Sequence, residues 1–176
     1  MNPESLQRID DFLSSSTQDL FVANGIDIEP NTEKRTDVEN PLTATIGFTS
    51  KNLRGLLVLT LDHSLAARSL PPSLRQGEPG DKIVADWTGE LSNQLLGRLK
   101  NKFHGSRIDI SLSTPIVFMG KEMRHFTNPS PINRILFFAE GRVLVELQAN
   151  YDKDFEIRET SESLEPSQPE GEALFF

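Results

Sequence analysis

The sequence predicts an α/β (α+β) fold in which long helices pack on an antiparallel or mixed β-sheet. Three features lead there. Residues 81–105, DKIVADWTGELSNQLLGRLKNKFHG, place apolar side chains at helical spacing for roughly seven turns. Residues 3–23 repeat that spacing more weakly. Elsewhere, short segments either alternate in polarity or are apolar throughout, the two signatures of strands.

In chain order, Pro3 suits a first helical position and Glu4 meets the positive end of the helix dipole. Leu6, Ile9, Leu13, Leu20 and Phe21 give the apolar side, weakened by Ser14, Ser15, Ser16 and Thr17, and Gly25 ends the helix. GIDIEP suggests a short strand, and residues 31–40 a charged connection flanked by prolines. Residues 43–49 alternate, with Ala44, Ile46 and Phe48 to one side. LRGLLVLTLD, residues 53–62, is apolar on both faces, as a central strand covered on two sides would be, or one covered by a dimer partner on the second. The two strands form a hairpin. Asp62 is placed to cap a short helix, HSLAARSL, which Pro71 and Pro72 stop; His63 within it reads as a surface histidine. Beyond the long helix, residues 107–113 alternate as a half-buried strand and residues 116–119 form another. Residues 121–133 read as a proline-stiffened connection, followed by strands 134–139 and 142–149 about the tight turn Glu140-Gly141.

The long helix is the centre of this plan. Asp81 is expected as its N-cap and Gly105 as its left-handed C-terminal cap. At about 100° per residue, Val84, Trp87, Leu91, Leu95, Leu99 and Phe103 share the core side. Asp86, Glu90, Asn93, Gly97 and Lys100 fall on an opposite stripe roughly 80° wide. Such a stripe is ordinarily a solvated face. This one also has chemical means: a carboxylate grips a cation, and a neighbouring carboxamide both donates and accepts, so it can aim a water. Gly97 costs the helix about 1 kcal/mol relative to Ala, and its missing Cβ leaves room for a partner.

Composition narrows the function. A chain of 176 residues suffices for one domain with a real core, and its 36% hydrophobic and 25% charged residues are ordinary for a soluble protein. With no cysteine, disulfides and thiolate metal sites are excluded. A net charge of −8 offers no basic excess for nucleic acid, and no apolar run is long enough to span a bilayer. The acidic, amphipathic start is unlike a signal peptide, so a cytoplasmic location is expected. His63, His104 and His125 are scattered, and no nucleophile elbow, zinc helix, phosphate loop or dinucleotide fingerprint occurs. From Asp152 the chain is acidic and rich in Pro and Ser, with eight Asp and Glu against Lys153 and Arg158. The expected division is a domain over residues 1–151 and an acidic tail over 152–176, whose Leu174-Phe175-Phe176 end is unusually apolar.

Asp86-x-x-x-Glu90-x-x-Asn93, continued by Gly97 and Lys100 and followed by Pro115 after ISLST, resembles the signature of the CheX/CheC/FliY chemotaxis phosphatases. The order of elements, a hairpin before the helix, a strand after it and a closing hairpin near FFAEGRVLVELQ, is similar as well, over residues 4–150. The resemblance implies a CheX/CheC-like fold and hydrolysis of the aspartyl-phosphate of a response regulator, a CheY-like receiver. It implies that Asn93 directs the attacking water and that Glu90 pairs with the regulator's lysine, with Asp86, Gly97 and Lys100 contacting the partner. It implies a homodimer, no cofactor or metal of the chain's own, and Mg²⁺ in the regulator. The helix at residues 3–23 has no Glu-x-x-Asn, so the single-site CheX branch is the nearer likeness. The alternative is a non-catalytic receiver-binding or dimeric adaptor module of the same fold.

Overall fold

The computed structural model describes residues 3–31, 41–75, 77–120, 132–139, 141–153 and 155–157. Helix α1 (Pro3–Ala23) leads to the short strand β1 (Glu29–Asn31). Strands β2 (Pro41–Thr49) and β3 (Leu53–Asp62) form the first hairpin. Helix α2 (His63–Ser69) and a single 3₁₀ turn (Pro72–Leu74) precede the long helix α3 (Asp81–Gly105). Strands β4 (Ser111–Leu112), β5 (Ile116–Met119), β6 (Ile132–Ala139) and β7 (Gly141–Tyr151) follow.

The strands make one sheet in the order β1-β6-β7-β3-β2-β4, with β5 also on β2, and every pairing is antiparallel. The expected antiparallel or mixed sheet is therefore antiparallel. Its register sets the core: Leu57, Leu59 and Leu61 of β3 stand opposite Leu147, Val145 and Val143 of β7, and all are buried. Ala44, Ile46 and Phe48 of β2 extend the same face, as their alternation requires. Against it pack Ile9, Leu13, Leu20 and Phe21 of α1 and Val84, Leu91, Leu95, Leu99 and Phe103 of α3. The two helices meet edge to face at Phe12 and Phe103, with ring centroids 5.9 Å apart. On the reverse face of central β3, Val58 is buried and Leu56 is 42% exposed.

The helix ends differ from expectation. Gly80, not Asp81, is the N-cap of α3: its carbonyl accepts from the amides of Ile83 and Val84. Asp81 sits one residue inside, where its charge still favours the first turn. At the other end Gly105 is the last helical residue, and Arg107 takes the left-handed conformation, with φ of 60°. The amides of Arg107 and Ile108 reach back to the carbonyls of His104 and Phe103, closing a Schellman motif. Asp62 occupies the N-cap position of α2 but does not cap it; its Oδ2 instead accepts the Arg142 amide at 2.7 Å and ties the start of β7 to α2. The strand expected over residues 107–113 is only β4, because the Schellman turn takes up its first residues. Gly25 ends α1 as expected, with φ of 75°.

Past β7, Phe155 and Ile157 are buried in the core, and the Ile157 amide donates to Ser5 Oγ at 3.0 Å. Of the connections expected over residues 31–40 and 121–133, Asn31 belongs to β1 and Ile132 and Asn133 to β6, while residues 32–40 and 121–131 lie outside the described residues, as does the part of the expected tail over 152–176 from residue 158 to its Leu174-Phe176 end.

Candidate functional site

Helix α3 is held along its length, and that fixes where its outer stripe points. Its core side is fully buried at Val84, Leu91, Leu95, Leu99 and Phe103. Trp87 is half-buried and donates from Nε1 to Ser69 Oγ of α2 at 2.9 Å, so the polar atom of the indole is satisfied where the ring packs. Thr88 and Ser92, also buried, show that the inward side is wider than its large apolar residues alone suggested.

On the outward stripe Asp86 is exposed, and Glu90, Asn93, Gly97 and Lys100 are half-buried. Glu90 and Asn93 are separated by about 4.5 Å of helix rise, whereas Asp86 and Lys100 stand about 21 Å apart along the axis. The stripe thus brings Glu90 and Asn93 together and leaves Asp86 and Lys100 at its ends. Glu90 Oε1 accepts a hydrogen bond from Gln94 Nε2 at 2.9 Å. Among the described residues no hydrogen bond engages the Asn93 carboxamide, so its donor and acceptor are both uncommitted there. The helix runs unbroken through Gly97, and a Cβ built there meets no atom of the described residues within 4 Å. Among the described residues the bare turn is therefore not a concession to packing.

Gly89 is a different case, and sequence reasoning did not single it out. A Cβ there would lie 3.2 Å from Val117 Cγ2 and 3.8 Å from Pro115 Cγ. The absence of a side chain lets β5 and the residue before it close against α3 beside Glu90. Ser113 anchors that approach by exchanging two hydrogen bonds with Gly47 of β2: its amide donates to the Gly47 carbonyl at 2.9 Å, and its Oγ accepts the Gly47 amide at 2.8 Å. Pro115 is thereby placed at the flank of the Glu90 turn. The available signal was a glycine inside the helical stretch directly before Glu90, an expensive residue to keep in a helix interior.

The chemistry on offer is that of positioning. Among the described residues, one carboxylate, one carboxamide with no fold partner and a bare turn can hold a cation and orient a water; nothing among them is arranged to attack as a nucleophile. Among the described residues no group of three or more His, Asp or Glu gathers to hold a metal ion. Among them also, no helix is long and apolar enough to cross a membrane.

The family model described as chemotaxis phosphatase CheX matches residues 42–137, a span that includes all of α3 and Pro115. No curated protein sequence matches the chain. Among solved structures, the chain is similar to the chemotaxis protein CheX of Vibrio vulnificus, at 20% identity and a TM-score of 0.68, over 79% of this chain and 97% of that one. It is equally similar to CheX of Desulfovibrio desulfuricans, at 19% identity and a TM-score of 0.68, over 81% and 99% of the two chains. A CheX from Borrelia burgdorferi, solved as a CheX-CheY-BeF3-Mg²⁺ complex, aligns at 14% identity and a TM-score of 0.58, over 82% and 97%. At these identities the structures establish a shared fold.

Proposed function

Because the chain belongs to the chemotaxis phosphatase CheX family, we propose that it hydrolyses the aspartyl-phosphate of a CheY-like response regulator. The observation that carries this reading is the pairing of Glu90 with Asn93 on one outward turn of α3, beside a Gly97 that no described residue crowds. The complex of the Borrelia burgdorferi relative with CheY makes a receiver the natural partner.

Hydrolysis here asks little acid-base work of the phosphatase. A water oxygen forms a bond to phosphorus while the bond from phosphorus to the aspartyl oxygen breaks, leaving a carboxylate on the regulator and inorganic phosphate. A carboxylate leaves without needing a proton, so the gain comes from aligning the water in line with the breaking bond. Asn93 performs that alignment: its carbonyl oxygen accepts a hydrogen bond from the water, which turns a lone pair of the water toward phosphorus, and the proton the water gives up leaves with the inorganic phosphate or passes to solvent. Glu90 receives the regulator's lysine and fixes the approach of the two proteins. Gly97 admits the regulator's backbone, and Asp86 and Lys100 make charged contacts at the two ends of the footprint. Mg²⁺ belongs to the regulator as part of the substrate and offsets charge on the phosphoryl oxygens. The chain acts in the cytoplasm, where response regulators work, and as a homodimer.

The test is the loss of acyl phosphate from a phosphorylated receiver domain with and without the chain. Faster loss in its presence supports the reading; an unchanged rate contradicts it.

A further inference from the structure

Glu90 does not stand alone on its turn. Gln94, one turn later on α3, donates from Nε2 to Glu90 Oε1 at 2.9 Å, and both side chains are half-buried. We infer that Gln94 is a positioning residue, which holds the Glu90 carboxylate in the orientation that receives the regulator's cation. The inference rests on the phosphatase reading of this stripe.

The chemistry of the donor matters. A carboxylate has about four acceptor sites on its two oxygens, so one amide N–H occupies a single site on Oε1 and leaves Oε2 open. The donor is also neutral. The usual partner for Glu at this helical spacing is Lys, which would hold the carboxylate equally well but neutralise it and compete with an incoming ammonium. Gln94 removes the rotamer freedom of Glu90 without spending its charge. A longer-lived single orientation lowers the ordering cost of the complex, so the effect belongs in the association term.

The experiment uses the full chain and a CheY-like receiver domain phosphorylated with acetyl phosphate. Steady-state kinetics are compared for wild type, Gln94→Ala, Gln94→Lys, Glu90→Ala and the Glu90→Ala/Gln94→Ala double variant. Gln94→Ala is expected to raise KM about threefold, the usual worth of one hydrogen bond, with kcat unchanged. Gln94→Lys is expected to raise KM further, about tenfold, while its melting temperature does not fall, because the Glu-Lys pair supports the helix. In the Glu90→Ala background, Gln94→Ala should change nothing more. An equal effect of Gln94→Ala in both backgrounds, or a Gln94→Lys variant with the KM of wild type, would overturn the inference. Active wild type in which Glu90→Ala raises KM and Gln94→Ala does not overturns this inference alone. Wild type without activity on the receiver overturns the phosphatase reading and this inference with it.

Discussion

Asn93 is half-buried on the outer side of α3, and its carboxamide supports nothing in the fold among the described residues. Asn93→Ala should therefore change stability by less than about 0.5 kcal/mol, read as an unshifted thermal melt. Dephosphorylation should fall on the order of 100-fold, the scale of a lost alignment. Glu90 has the complementary profile. Glu90→Ala should weaken binding to the receiver about tenfold, as loss of a hydrogen bond to a charged group does, and Glu90→Lys should weaken it more by setting like charges together. Titration of the wild-type complex with salt checks the same point, since a half-exposed ion pair is screened. At Gly97 the absence of any described neighbour within 4 Å of the built Cβ makes the two roles separable. Gly97→Ala should raise stability by about 0.5–1 kcal/mol, and Gly97→Leu should keep the fold. If a regulator packs on that turn, activity should fall in the order wild type, Ala, Leu; full activity in Gly97→Leu would remove this turn from the docking surface.

At the scale of elements, α3 and β3 were the most legible parts of the sequence, and for a physical reason. Both are buried over long stretches, so period and polarity had many residues in which to show themselves. Ends were less legible. A helix start can slide by one residue when a glycine carbonyl such as that of Gly80 accepts the first amides, and Asp81 looks equally fit for the cap. Likewise the left-handed position fell to Arg107, although Gly105 is the residue that backbone sterics favour. The stripe itself was readable from helical spacing, but the Gln94 contact to Glu90 and the closeness of Gly89 to Val117 were not. The first depends on which rotamer is chosen, and the second on a strand that arrives only after the helix has ended. Gly89 supplies the element-scale prediction. Gly89→Leu has no room, so it should push β5 and Pro115 off α3, cost about 1–3 kcal/mol of stability and lower activity together. A Gly89→Leu variant with a wild-type melt would show that α3 and β5 are not packed as described.

For the whole molecule, the sheet order places the last hairpin beside β3, so the core is closed by residues far from α3 in the chain. Phe155 and Ile157 continue that closure beyond β7, where acidic composition hid them in what reads as a tail. Two apolar residues within a charged stretch give no period to detect, and the tie from this segment to α1, the Ile157 amide on Ser5 Oγ, joins residues far apart in the chain. A chain ending at Tyr151 should therefore melt well below one ending at Ile157, since each lost side chain contributes about 1.5–3 kcal/mol. Equal melting of the two would mean that these residues add nothing to the core. The fold and the packing serve one claim, that an unbroken α3 presents Asn93 to a water on a phosphorylated receiver. The most direct measurement is single-turnover loss of acyl phosphate from such a receiver, with wild type and with Asn93→Ala at equal, saturating concentration. The account predicts rapid loss with wild type and loss near the spontaneous rate with Asn93→Ala, the variant still folded and still bound. Equal rates for the two proteins would contradict it.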